Sequence, residues 1–202
     1  MADTLVLATR NAGKIADLQG LVDAEPALDG LRVRGVGEFS ELDDVAEIGV
    51  TFVENATLKA KYVTERLGLP AVADDSGLAV DVLGGCPGVF SARWAGTHGD
   101  DQANIDLLLA QTADVPVDKL IARFECSVVL AMPDGALHSA TGTVEGRLTR
   151  EQRGDNGFGY DPIFELPDGR TFAQYTREEK NAVSHRGQAF RALVPTIVRL
   201  FT

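Results

Sequence analysis

The sequence predicts a mixed α/β fold, one sheet flanked by helices, with a hairpin forming a second lobe across a central cleft. Two observations predict it. Short apolar runs alternate with stretches of helical apolar spacing, and Leu120 to Met132 and Ala136 to Arg147, joined by the turn Pro133-Asp134-Gly135, form a hairpin signal that makes part of the sheet antiparallel. The 202 residues, 45% of them apolar, suit a single domain with a substantial core.

Leu5 to Thr9 reads as a short buried strand, and Ile15, Leu18, Leu21 and Val22 give the next segment a helical stripe. Leu31 to Val36 alternates as a second strand, followed by an acidic loop from Glu38 to Gly49. Thr51-Phe-Val-Glu54 has the form of a capping box, and Phe52, Ala56, Ala60, Val63 and Leu67 stripe a helix that Gly68 stops. A third strand begins after Pro70 and is expected to bend at Ser76-Gly77 before Leu78 to Val82. Gly84 to Gly96 is too rich in glycine for regular structure, and Arg93 and Trp94 within it read as packing. Asp100 to Thr112 is a helix with Ile105, Leu108 and Leu109 inward. Leu120 to Met132 and Ala136 to Arg147 are the hairpin strands. Thr176 to Glu179 is a second capping box, and Ser184 heads a last helix carrying Phe190, Leu193, Val194, Ile197 and Val198, with a kink expected at Pro195.

Composition excludes several classes of function. The net charge of -11 repels the backbone of a nucleic acid, so a polynucleotide partner is not expected. It does not exclude a small anion, which a few local cations and helix N-termini can hold. The apolar runs are too short to span a membrane and the N-terminus lacks a signal-type pattern, so the expected location is the cytoplasm. Cys86 and Cys126 stand apart, without zinc or disulfide spacing; Cys126 reads as core.

Four segments carry possible chemistry. Thr9-Arg10-Asn11-Ala12-Gly13-Lys14 follows the first strand, where backbone N–H groups, a helix N-terminus and a lysine can meet phosphate oxygens; an ordinary turn with a surface lysine is the other reading. A Walker A loop is excluded, since Ala8 and Ile15 occupy its glycine and hydroxyl positions. In Asp74-Asp75-Ser76-Gly77, strand alternation sends the two carboxylates to opposite faces, one to a cleft and the other to a backbone or turn partner. Two buried carboxylates about 4 Å apart repel by roughly 4 kcal/mol at an effective dielectric near 20, which a divalent cation would relieve. Glu47 and Glu54 are candidates to complete an oxygen-rich Mg²⁺ site with Asp75; a solvated strand end is the alternative. Phe158-Gly159-Tyr160-Asp161 combines close backbone approach with aromatic faces for a base, or forms a tight turn with Tyr160 in the core. A dinucleotide fingerprint fails there, because Pro162 stands where its third glycine belongs. Lys180 with Ser184, His185 and Arg186 places cations near a helix start, suited to an anion or a base carbonyl; His98 and His138 lack such company and read as structural or solvated.

Taken in order, ATRNAGK, TFVENATLKAKY, ADDSGLAVDVLGGCPGVFSARWAG, GFGYDPIF and TREEKNAVSHRGQA resemble the inosine triphosphate pyrophosphatase family nearly end to end. The resemblance implies an elongated two-lobed α/β fold with a central substrate cleft, a homodimer, Mg²⁺ dependence, and hydrolysis of ITP, dITP or XTP to the monophosphate and pyrophosphate. By position it makes Asp75 the proton acceptor and a metal ligand, Glu47 the second metal-associated acid and Ser76 a substrate contact. It makes Thr9 to Lys14 the phosphate-binding turn, although Arg10 stands where some relatives have glycine. Phe158, Gly159, Tyr160, Asp161, Lys180, His185 and Arg186 become nucleotide-binding positions, and Asp74 receives no role. A pyrophosphatase for other modified triphosphates and a non-catalytic nucleotide-binding protein are the competing readings; the second fits poorly with Asp75, Glu47 and Lys14 together.

Overall fold

A computed structural model describes residues 3–40, 42–43 and 45–202; Glu41 and Asp44 of the predicted acidic loop lie outside the described residues. The chain runs β1 (Thr4–Leu7), α1 (Ala12–Asp23), β2 (Arg32–Gly35), α2 (Phe52–Leu67), β3 (Ala71–Val80), α3 (Asp101–Gln111), β4 (Ile121–Ala131), β5 (Leu137–Leu148), β6 (Phe164–Glu165), α4 (Arg177–Val183) and α5 (His185–Phe201). The strands form one mixed sheet in the order β2-β1-β3-β4-β5-β6. β1 is parallel to β2 and to β3, with Leu5 opposite Val33 and Leu7 opposite Val72, whereas β6 runs antiparallel to β5. Among the described residues no helix is long and apolar enough to cross a membrane.

Two compact units divide the chain: Met1–Asp75 with Cys126–Gly142 and Arg186–Thr202, and Ser76–Glu125 with Thr143–His185. In the first unit the sheet is covered on both faces, and period-two alternation decides what each face touches. Leu5, Leu7, Val33 and Val72 face Leu18 and Val22 of α1 and Phe190, Leu193 and Ile197 of α5. The intervening residues Val6, Ala71 and Ala73 turn the other way, toward Ala56, Ala60 and Val63 of α2. Alanines on both elements let α2 pack close to the sheet. Buried Cys126 belongs to the first of these clusters, and burial pushes its thiol well above the ordinary range.

The second unit has its own core of Leu78, Val80, Ile105, Leu108, Phe124, Leu148, Ile163, Phe164 and Phe172. Phe124 is its centre: its ring meets Phe164 edge-on at 4.7 Å and stacks on His185 at 4.9 Å. α3 is capped by Asp100, whose carboxylate accepts from the Ala103 N–H at 3.1 Å.

Both predicted capping boxes form, Thr51 with Glu54 and Thr176 with Glu179, and Gly68 ends α2 in the left-handed conformation at φ 65°. One expectation is corrected: the glycine-rich stretch holds a 3₁₀ helix at Gly88–Arg93. β3 is a continuous strand through Ser76-Gly77, inside the sheet between β1 and β4. α5 is a continuous helix through Pro195 to Phe201, with buried Phe190, Leu193 and Ile197 on both sides of the proline.

Candidate active site

In the first unit β3 carries the site, and the alternation that sorts its apolar residues also sorts its acids. Asp74 continues the face of Val72, toward α1 and α5; Asp75 continues the face of Ala71 and Ala73, toward α2. On the first face Asp74 is 5% exposed and both of its carboxylate oxygens accept from Lys14 Nζ, at 3.0 and 2.8 Å. Arg186 Nε, from the first turn of α5, donates to the same carboxylate at 3.3 Å. Burial works against ionisation of Asp74, but Lys14 and then Arg186 outweigh it and hold the carboxyl well below the usual range.

Lys14 reaches this position because its helix starts where it does. The Asn11 side chain caps α1, accepting from the Gly13 and Lys14 N–H groups at 2.8 and 3.2 Å, and the Asn11 N–H donates to Thr9 Oγ1 at 3.2 Å. Ala12 is the first residue of α1, and an Arg10 guanidinium N–H meets the Leu42 carbonyl at 3.4 Å. The Thr9 to Lys14 turn is therefore a helix N-terminus with an exposed capping residue, the geometry that receives anions.

On the opposite face Asp75 accepts from Asn55 Nδ2 at 3.1 Å and from Lys59 Nζ at 3.4 Å, and Lys59 also donates to Glu47 at 2.8 Å. One ammonium thus joins the two predicted metal-associated acids. Asn55 further accepts from the Gly49 N–H at 2.8 Å, drawing the Glu47 loop against α2; a Cβ at Gly49 would lie 2.7 Å from that same oxygen. Burial, reinforced by Glu47, raises the Asp75 carboxyl despite Lys59, which makes it more basic than an ordinary aspartate. Burial would lower the Lys59 ammonium, but Asp75 and Glu47 prevail and raise it.

Two carboxylates converging on one positive charge are the kind of oxygen donors Mg²⁺ takes from a protein, so Glu47 and Asp75 are the residues that could hold that ion. Among the described residues no group of three or more acidic, histidine or cysteine side chains gathers for a metal. Glu54 is drawn elsewhere: its carboxylate closes the capping box, accepting from Val50 and Thr51 N–H at 2.7 and 3.2 Å. The predicted Asp74–Asp75 repulsion is resolved differently from expectation, since each acid has its own cations on its own face.

The second unit holds the aromatic turn. Gly157 has φ 82° and Gly159 φ 59°, and Asp161, 2% exposed, accepts from the Phe158 N–H at 2.9 Å and from Lys180. A Cβ at Gly157 would lie 2.0 Å from the Asp161 carboxylate, so only glycine permits this closure. Tyr160 is core, its hydroxyl donating to the Ser91 carbonyl at 3.0 Å, whereas Phe158 is 61% exposed with Lys180 Nζ 5.0 Å from its ring. The aromatic face offered to solvent is therefore that of Phe158. His185 is 7% exposed beneath Phe124, and Ser76 is half-buried on β3.

The structure thus brings Lys14 to Arg186, Glu47 to Asp75, and Phe158 and Asp161 to Lys180. Arg186, grouped in sequence with His185 and the base, shares its carboxylate with Lys14. Lys59, Asn55 and the pairing of Asp74 were missed. Their signal is the i, i+4 spacing of Asn55 and Lys59 beside the apolar stripe of α2, two polar side chains on a helix face turned to the sheet.

The Ham1 family matches residues 5–196. The chain is 56% identical to the dITP/XTP pyrophosphatase of Streptomyces coelicolor, covering 97% of this chain and 98% of that one. Its fold is similar to a HAM1 protein from Coxiella burnetii, with a TM-score of 0.88 at 41% identity over 97% of this chain and 98% of that one. It is also similar to a nucleoside-triphosphatase, dITP/XTP pyrophosphatase, from Mycobacterium abscessus, with a TM-score of 0.80 at 44% identity over 95% and 99%. With a family match that runs from within β1 into α5, and relatives that align over almost their whole length, this chain belongs to the Ham1 family.

Proposed function

We propose that the chain hydrolyses the non-canonical purine triphosphates ITP, dITP and XTP to the monophosphate and pyrophosphate, with Mg²⁺, and so clears them from the nucleotide pool of the cytoplasm. The observation that carries this reading is the convergence of Glu47 and the raised Asp75 on Lys59, one strand face away from the Lys14–Asp74–Arg186 cluster. The activity printed for the 56% identical relative supports it.

The chemistry follows from these groups. Asp75, made more basic by burial and by Glu47, accepts a proton from the water whose oxygen attacks the α-phosphorus. The bond from that phosphorus to the bridging oxygen breaks, and pyrophosphate leaves with the electron pair. Lys14 keeps an N–H beyond the two that Asp74 takes, and with the capped start of α1 it meets the charge growing on the departing group. Glu47 and Asp75 would hold Mg²⁺, which when bound neutralises triphosphate oxygens. No covalent intermediate is needed.

In the second unit Phe158 offers a stacking face for the purine. The 6-keto oxygen of hypoxanthine or xanthine accepts from donors of the Lys180 and His185 group, whereas the 6-amino group of adenine would set donor against donor. Buried donors left unpaired are the stronger source of discrimination. The family resemblance adds a homodimer, to be checked by sedimentation. The deciding experiment is pyrophosphate release from ITP, dITP, XTP, ATP and GTP with and without Mg²⁺. Release from the first three and not from ATP, dependent on the ion, is expected; equal use of ATP would overturn the base assignment, and no release would overturn the hydrolase.

A further inference from the structure

We infer that Asp101, at the first turn of α3, is a positioning residue for purine recognition: it fixes the backbone of the aromatic turn so that Phe158 is presented to the base. The inference rests on the proposed hydrolysis of purine triphosphates and deepens it.

The Gly159 N–H donates to Asp101 Oδ2 at 2.6 Å, across 58 positions of sequence. α3 does not need this carboxylate for its own start, because Asp100 already caps it. The helix is a rigid support: Ile105 and Leu108 are buried in the unit's core, Asn104 Oδ1 accepts from the Ala95 N–H at 2.7 Å, and Gln111 accepts from Trp94 Nε1 at 2.8 Å. The turn is therefore pinned at three successive residues by three different partners. Asp161 takes the Phe158 N–H, Asp101 takes the Gly159 N–H, and the Tyr160 hydroxyl is held by the Ser91 carbonyl.

Between those pins Phe158 is 61% exposed, an apolar ring fixed at its backbone, with Lys180 Nζ 5.0 Å from its centre. A turn with Gly157 at φ 82° and Gly159 at φ 59° has access to many other conformations when unpinned. A ring that must stack on a purine gains from losing that freedom before the ligand arrives.

The test compares Asp101→Ala, Asp101→Ser and Asp101→Asn with the wild-type protein. Asparagine still offers an oxygen to the Gly159 N–H; alanine offers none, and the serine hydroxyl is too short to reach. Two probes are used as competitive inhibitors of ITP turnover: inosine monophosphate, which carries the base, and pyrophosphate, which does not. Asp101→Ala and Asp101→Ser should raise KM for ITP and Ki for inosine monophosphate by about tenfold while kcat stays within about threefold. Pyrophosphate inhibition should be unchanged, and Asp101→Asn should stay within about twofold of wild type on every reading.

Weakening of both probes together would mean general damage to the fold and would overturn the assignment. So would wild-type inosine monophosphate affinity in Asp101→Ser, or an Asp101→Asn as impaired as alanine. Should the wild-type protein turn over no purine triphosphate, the hydrolase reading fails, and the same two probes read by calorimetry decide the role of Asp101 by themselves.

Discussion

At the scale of single residues the site depends on two adjacent aspartates that do different work because a strand turns successive side chains to opposite faces. In the proposed mechanism Asp75 carries the chemistry. Asp75→Asn is isosteric and still accepts from Lys59, so the fold should survive while kcat falls by about 10²- to 10⁴-fold, the usual contribution of a positioned proton acceptor. Turnover near wild type, with circular dichroism unchanged, would remove Asp75 from the reaction. Asp74 instead holds cations. Asp74→Asn leaves Lys14 and Arg186 facing a neutral amide, and breaking a buried pair in this way costs about 3 kcal/mol. Urea unfolding should show that loss, together with a higher KM for ITP from a less ordered Lys14. The family resemblance singled out Asp75, but nothing in the sequence named the partners of Asp74. The doublet was visible and so was its alternation, but the partners of Asp74 come from positions 60 and 112 residues away, and only the packing of α1 and α5 on one face names them.

At the scale of elements, what was legible was whatever is decided locally. The start of α2 was readable because a capping box needs only Thr51 and Glu54 three residues apart, and its end because Gly68 adopts φ 65° without strain. The continuity of β3 through Ser76-Gly77 was not, since neighbouring strands decide it. The same limit explains Glu54, which by composition was as good a metal ligand as Glu47. Its carboxylate is committed to Val50 and Thr51 N–H groups, whereas Glu47 points to Lys59. Glu54→Gln should therefore keep kcat and the Mg²⁺ dependence within about twofold, while Thr51→Ala should cost about 1 kcal/mol of stability by removing the cap. A Glu54→Gln variant needing far more Mg²⁺ would restore Glu54 to the metal site and displace the capping account.

At the scale of the whole molecule the net charge of -11 sets the acid response. Lowering the pH toward the isoelectric point near 4.7 first removes negative charge and relieves self-repulsion, so the loss of stability in acid must come from particular carboxylates with partners. Glu165 is one that is far from the proposed metal ligands in sequence and confined to the second unit. Arg153 and then Arg147 hold its carboxyl below the usual range, with Arg147 Nε at 2.6 Å. A lowered value in the folded state means that the unfolded chain takes up the proton first as pH falls. The stabilisation by Glu165 is thus complete above the ordinary glutamate value of about 4.3 and fades below it as pH approaches the folded value. Glu165→Gln removes the charge at every pH. Its unfolding temperature should therefore lie below that of the wild-type protein at pH 7, and the gap should narrow at about pH 3.5, where the wild type has begun to lose the same contribution. Thermal unfolding of both proteins at the two pH values measures this directly. A gap of constant size would show that Glu165 stabilises through packing on β5 and β6 rather than through its ionised pairing with the two arginines.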